Sequence, residues 1–160
     1  MGLAIPLVLT ACGSGEKKDP PSPVKFYASS SDGKVEHSIY LCELDPQTES
    51  IAVLDSFAGA VGPSYLAVSP EGNTLYTVDN RSVDPENKSQ SVNAFRIKQE
   101  DLSLTYLNNQ SSEGRGPCHV YASQAHLFVA NYSSGHATSI ALASNGELAL
   151  PTAAVSAEGS

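Results

Sequence analysis

Apolar and polar residues alternate along most of this chain in short runs, each closed by turn-forming residues. Val24-Lys25-Phe26-Tyr27-Ala28-Ser29 is the first such run. Others cover 39–45, 50–55, 75–80, 91–97, 102–107, 118–122, 127–132, 137–142 and 147–150. A period of two over so few residues is the signature of strands with two distinct faces. Asp45-Pro46-Gln47-Thr48 and Asn145-Gly146 supply turn chemistry between neighbouring runs. No segment of about ten residues carries the 3.6-residue period of an amphipathic helix. The pattern therefore predicts an all-β chain.

The runs repeat. Gly62-Pro63-Ser64-Tyr65-Leu66-Ala67-Val68, leading to Leu75-Tyr76-Thr77-Val78-Asp79-Asn80, returns as Gly116-Pro117-Cys118-His119-Val120-Tyr121-Ala122, leading to Leu127-Phe128-Val129-Ala130-Asn131-Tyr132. A period near 50 residues with several strands per unit describes the blade of a β-propeller. Counted this way, residues 24–160 hold three strands of a first blade without its innermost strand, a complete second blade, and most or all of a third. Residues 81–90 lengthen a loop between the second and third strands of the complete blade. Propellers close with about 4–8 blades, so the expectation is a partial propeller, about two and a half to three blades of a ring of seven, lying N-terminal in a longer protein.

The first residues read differently. Leu3-Ala4-Ile5-Pro6-Leu7-Val8-Leu9-Thr10-Ala11-Cys12 is an apolar run too short to span a bilayer but suited to the core of a signal peptide. Leu9-Thr10-Ala11-Cys12 resembles a bacterial lipobox, which implies cleavage before Cys12 and a lipid on its sulfur. Residues 1–11 are thus expected to be a signal segment, and 12–23, rich in Gly, Ser and Pro, a tether. The implied address is the bacterial cell envelope, with the membrane reached through the anchor at Cys12.

The formal charge of -8 comes from 9 Lys and Arg against 17 Asp and Glu, with no basic cluster larger than Lys17-Lys18. That excludes nucleic acid as a natural partner. The histidines lack companions at metal-ligand spacing, and Asp79, Asp84 and Glu86 match no calcium loop, reading instead as a solvated rim. No metal and no cofactor are expected. Cys42 and Cys118 fall at different strand positions in different blades, so two buried free thiols are expected. Asn80 and Asn131 end equivalent strands, where a structural cap is the expected role.

Taken together, Gly62-Pro63-Ser64-Tyr65-Leu66-Ala67-Val68-Ser69-Pro70-Glu71-Gly72, its second copy from Gly116, and Glu158-Gly159-Ser160 resemble the lactonase family of seven-bladed propellers that includes bacterial 6-phosphogluconolactonase. The resemblance implies metal-independent hydrolysis of a sugar lactone, or the related lactone-forming cyclisation, at one mouth of the central channel. Much of the family's acid/base and cationic machinery sits on later blades, so this arc alone is expected to be inactive. Two departures stand out. Ser123-Gln124-Ala125-His126 replaces the Ser-Pro-x-Gly turn with a shorter one, and Ala157 stands where a His is common.

Within that frame the repeat puts Tyr65 and His119 at equivalent places, just after the Gly-Pro turn that enters a channel-lining strand. Lactone opening needs a base for water and a donor or cation for the developing oxyanion. His119 is the catalytic candidate, with hydrogen bonding to a neighbouring blade's backbone as its alternative role. Tyr65 and Arg115 are candidates for binding substrate, and Arg115 could hold a carboxylate or phosphate bidentately. The partner implied is a small lactone or sugar acid. A lipid-anchored address favours an unphosphorylated sugar lactone or related cyclic ester. The alternative function is a non-catalytic envelope propeller that binds a protein or glycan on its disc face.

Overall fold

The structure is a computed structural model that describes residues 21–31, 37–84, 86 and 88–156. The signal segment, Cys12, residues 12–20 of the tether and the Glu158-Gly159-Ser160 link all lie outside the described residues. Eleven strands form three antiparallel sheets, and no helix occurs among the described residues. The first sheet orders β1 (Val24–Ser29), β2 (Ile39–Asp45) and β3 (Ser50–Phe57). The second holds β4 (Leu66–Val68), β5 (Thr74–Ser82), β6 (Gln90–Ile97) and β7 (Leu104–Ser111). The third holds β8 (Pro117–Ala122), β9 (His126–Asn131), β10 (His136–Leu142) and β11 (Leu148–Ser156). This is a partial β-propeller. β1 packs against β4 as β5 packs against β8, so β1 holds the second-strand position of its blade.

The core lies between blades and not within them. Tyr76, Val78, Val92 and Ala94 of the second blade pack with Val120, Leu127, Val129 and Ile140 of the third. Leu75, Phe95 and Ile97, on the opposite face, pack with Ile39 and Ala60 on the side of the first blade. Residues of both parities along β5 are therefore buried, Thr74 through Asp79 without a break. A strand flanked by two neighbours is buried on both faces, and the polar residues within that stretch, Thr74, Thr77 and Asp79, are each hydrogen-bonded.

Tyrosines pin one blade to the next. Tyr27 on β1 donates from its hydroxyl to Leu102 O of the second blade at 2.6 Å. Tyr76 on β5 donates in the same manner to Gly146 O of the third at 3.0 Å. Both acceptors sit in the hairpin before the outermost strand and both are left-handed, Leu102 at φ 61° and Gly146 at φ 84°. For a leucine that conformation costs about 1 kcal/mol, offset by the hydrogen bond and by packing of Leu102 on the core. Asn108 adds a two-way clasp between outer strands, donating to Leu148 O at 2.8 Å and accepting from Leu148 N–H at 3.0 Å.

Several expectations need correction. The run 102–107 shifts to Leu104–Ser111, because Leu102 belongs to a turn closed by Asp101 on Ser103, and polar Asn108 to Ser111 pair with β6. The loop at 81–90 is shorter than expected, since β5 continues to Ser82 across a bulge. Cys42 and Cys118 are both free thiols, but only Cys42 is buried. Cys118 lies in the bulge between Pro117 and His119 and is exposed. Asp79 is not on a solvated rim. It is fully buried, because the chain linking the first blade to the second folds over it.

Burial, with the Asp101 carboxylate as a lesser cause, pushes the Tyr27 hydroxyl up to about 12. A folded value above the unfolded one near 10 means the neutral tyrosine is favoured in the fold, so its contribution is complete below pH 10 and disappears as pH rises toward 12. Stability measured by denaturant titration should fall across pH 10–12 and fall less steeply in Tyr27→Phe. Tyr76 and Tyr106 are shifted the same way by burial and supply residual slope. Identical slopes in both proteins would refute the assignment.

Candidate functional site

The start of each innermost strand lies at one mouth of the arc, together with the end of β5, the start of β6 and the end of β7, as antiparallel order requires. Two Gly-Pro turns launch β4 and β8 there. Gly62 has φ +54° and Gly116 φ +64°, conformations that favour glycine. Space enforces the same choice. A Cβ at Gly62 would stand 2.6 Å from Asn80 Nδ2, and one at Gly116 would collide with Ser133 Oγ.

The chain between blades is fastened at this mouth. Asp79 Oδ2 accepts from Val61 N–H at 3.2 Å and from Asn93 Nδ2 at 2.7 Å. Arg81 lies along the same carboxylate, its Nε 3.1 and 3.0 Å from Oδ1 and Oδ2, and its Nη2 bridges Asp79 Oδ2 and Gly59 O at 2.6 Å each. The hydrogen bond to Asp79 holds the Arg81 guanidinium above its ordinary value. In the third blade Asn131 and Thr138 take the corresponding places, and both donate to Ser112 O, at 2.9 and 2.7 Å. The cap expected of Asn131 is thus a fastening of the linker. Asn80 caps by donating to Gly62 O at 2.9 Å.

With the turns fixed, Tyr65 and His119 meet across the two blades. Their ring centroids are 4.4 Å apart with planes inclined at 48°. Both side chains are exposed, Tyr65 at 36%. No hydrogen bond within the described residues takes up the Tyr65 hydroxyl or either His119 nitrogen, so the backbone-bonded alternative for His119 is not what the structure shows. Contact with an aromatic face contributes about 1 kcal/mol and leaves the imidazole polar edge to solvent or ligand.

Arg115 is not part of that pair. Its backbone is tied to Ser133 and Ser134, and its side chain lines a neighbouring cleft of about 710 Å³ with Asn80, Lys88, Gln90, Gly116 and Ser133. Lys88 gives the cleft a second cation that sequence reasoning missed, because it sits in the 81–90 segment, outside the repeat. Asp84 and Glu113 line a separate cleft, so the charges at this mouth are segregated. Tyr65 and His119 thus present their polar edges at the same mouth as a cleft that carries the cations Arg115 and Lys88. Among the described residues no cluster of three or more His, Cys, Asp or Glu could hold a metal ion.

The model of a family described as Lactonase, 7-bladed beta-propeller matches residues 25–160. A 6-phosphogluconolactonase of Bacillus subtilis is 30% identical over 115 residues, covering 71% of this chain and 32% of the relative. A 6-phosphogluconolactonase of Formosa agariphila is 26% identical over 110 residues, covering 68% and 30%. A solved structure from Bacteroides fragilis, provisionally described as a 6-phosphogluconolactonase, superposes with a TM-score of 0.76 at 27% identity over 89% of this chain and 39% of its own. The chain spans about a third of the length of the curated relatives it matches.

The two reasons for glycine in the turns are separable by mutation. Gly72 is left-handed at φ +73° with nothing within 4 Å of a built Cβ, so Gly72→Ala should cost only conformational strain, about 1 kcal/mol. Gly116→Ala carries the same strain and must also displace Ser133, and chemical denaturation should show at least about 1 kcal/mol more. Equal losses would mean that Ser133 yields freely.

Proposed function

The chain belongs to the lactonase family of seven-bladed β-propellers, and from that premise we propose that the whole protein hydrolyses a sugar lactone or related cyclic ester where Tyr65 and His119 meet. The observation that carries this reading is the ring pair itself: two polar-tipped side chains from adjacent blades, in contact, exposed, and without hydrogen-bond partners among the described residues.

In the proposed reaction a neutral His119 takes a proton from water as the oxygen attacks the lactone carbonyl carbon. The tetrahedral oxyanion then collapses with cleavage of the ring C–O bond. The imidazolium returns the proton to the departing ring oxygen, so lactone and water become one hydroxy acid. Tyr65 packs against the imidazole face and can donate its hydroxyl to a ring or carbonyl oxygen. Arg115 and Lys88 favour a substrate with a carboxylate or phosphate remote from the ring. Further groups for the oxyanion belong to the remaining blades, as the family resemblance implies.

The proposal extends to address and organisation: residues 1–11 as signal, 12–23 as tether, 24–160 as propeller blades, and Cys12 as the lipid attachment at the cell envelope. The support is the Leu9-Thr10-Ala11-Cys12 pattern with its Gly- and Pro-rich sequel. Lipid on Cys12 would place the mouth among envelope lactones, and an unphosphorylated sugar lactone with a carboxylate fits both address and cleft.

Assayed on a panel of sugar lactones, full-length His119→Ala should lose at least about 100-fold in kcat. Arg115→Ala should raise KM about 10-fold for anionic lactones and leave neutral ones unchanged. Unaltered hydrolysis in His119→Ala would remove the proposed base.

A further inference from the structure

The two turns that present Tyr65 and His119 are joined by a continuous line of hydrogen bonds through two side chains. Asn80 Nδ2 donates to Gly62 O at 2.9 Å. Gln90 Nε2 donates to Asn80 O at 3.0 Å. Gly116 N–H donates to Gln90 Oε1 at 2.6 Å. Gly62 lies three residues before Tyr65 and Gly116 three before His119, so the line ends symmetrically on the two residues that set where each ring begins. Gln90 is itself held on both sides of its backbone, donating to Gly114 O at 2.9 Å and accepting from Ser112 N–H at 2.8 Å.

We propose that Gln90 is a positioning residue that couples the two Gly-Pro turns and thereby sets the approach of His119 to Tyr65. The chemistry of the position is specific. One amide end must accept from Gly116 and the other must donate to Asn80, and only a carboxamide offers both at this reach. A glutamate keeps the acceptor and loses the donor. An alanine leaves Gly116 N–H and Asn80 O to solvent and frees each turn separately. The linker fastenings at Asp79 and Asn131 hold each turn to its own sheet. The Gln90 line ties one turn to the other across the blade boundary by hydrogen bonds. Because a base must reach its proton within hydrogen-bond distance, a shift of about 1 Å in His119 would cost on the order of 100-fold in rate at worst.

The inference about catalysis rests on the proposed hydrolysis at His119, whereas the coupling does not, and the test separates them. In full-length protein labelled at histidine, the His119 ring proton resonances report the ring current of Tyr65, and Tyr65→Leu defines their position without it. In Gln90→Ala the His119 resonances should move at least half-way to the Tyr65→Leu position, and in Gln90→Glu part of that way. His126, the first residue of β9 and at the far end of β8 from His119, should not move in either variant. Against a lactone turned over by the wild type, Gln90→Ala should lose about 10-fold in kcat with KM within about 2-fold. Asn80→Ala removes the neighbouring link and should reproduce the spectral change if Gln90→Ala folds poorly. His119 resonances unmoved in all three variants would overturn the coupling. Resonances that move while kcat stays at the wild-type value would uphold the coupling and overturn Gln90's positioning role in catalysis; if kcat also survives in His119→Ala, the hydrolytic reading itself falls.

Discussion

Each linker between blades must carry its polar backbone across the edge of an apolar interface, and the fold depends on how that backbone is satisfied. Buried N–H and C=O groups left unpaired cost about 1–3 kcal/mol each. Here the end of the second strand in a blade supplies the partner for the linker leading into that blade. Asp79 accepts from Val61 N–H, while Asn131 donates to Ser112 O. The residue type changes and the direction of the hydrogen bond reverses with it. What is common to the two blades is the fastening, and it decides where the next innermost strand begins.

That starting point in turn decides where two exposed rings stand. Tyr65 and His119 meet only because two Gly-Pro turns are held in register at one mouth, each by a left-handed glycine pressed against a polar side chain of its own blade. The apolar interface beneath, from Tyr76 and Val78 to Val129 and Ile140, sets the spacing of the blades, and the tyrosine pins at Leu102 and Gly146 fix their tilt from the other rim. The site is therefore a property of the boundary between blades, belonging to neither sheet alone.

Much of this was legible in the sequence because period-two patterning and turn chemistry are local. The three sheets, the second-strand place of β1 and the equivalence of Tyr65 with His119 follow from the repeat. What escaped is what depends on neighbours. Asp79 reads as a solvated acid until the linker is seen lying over it. The polar run Asn108 to Ser111 lies past the run expected to end at Leu107, yet it is strand, paired with β6, with Asn108 clasping Leu148 of the next blade. Cys118 reads as buried because the strand pattern does not announce a bulge. Lys88 and Gln90 carry no repeat signal, since the segment that brings them to the cleft occurs once.

The most direct test of the central claim is amide hydrogen exchange at Val61, whose N–H has the Asp79 carboxylate as its partner. If the linker is fastened as described, Val61 exchanges as slowly as core amides of β5 and β6 in the wild type. In Asp79→Ala it should then accelerate by about two orders of magnitude, the equivalent of a charge-assisted hydrogen bond, while Val92 and Ala94 keep most of their protection. Exchange at Val61 that is fast from the outset, or unchanged by the substitution, would contradict the account.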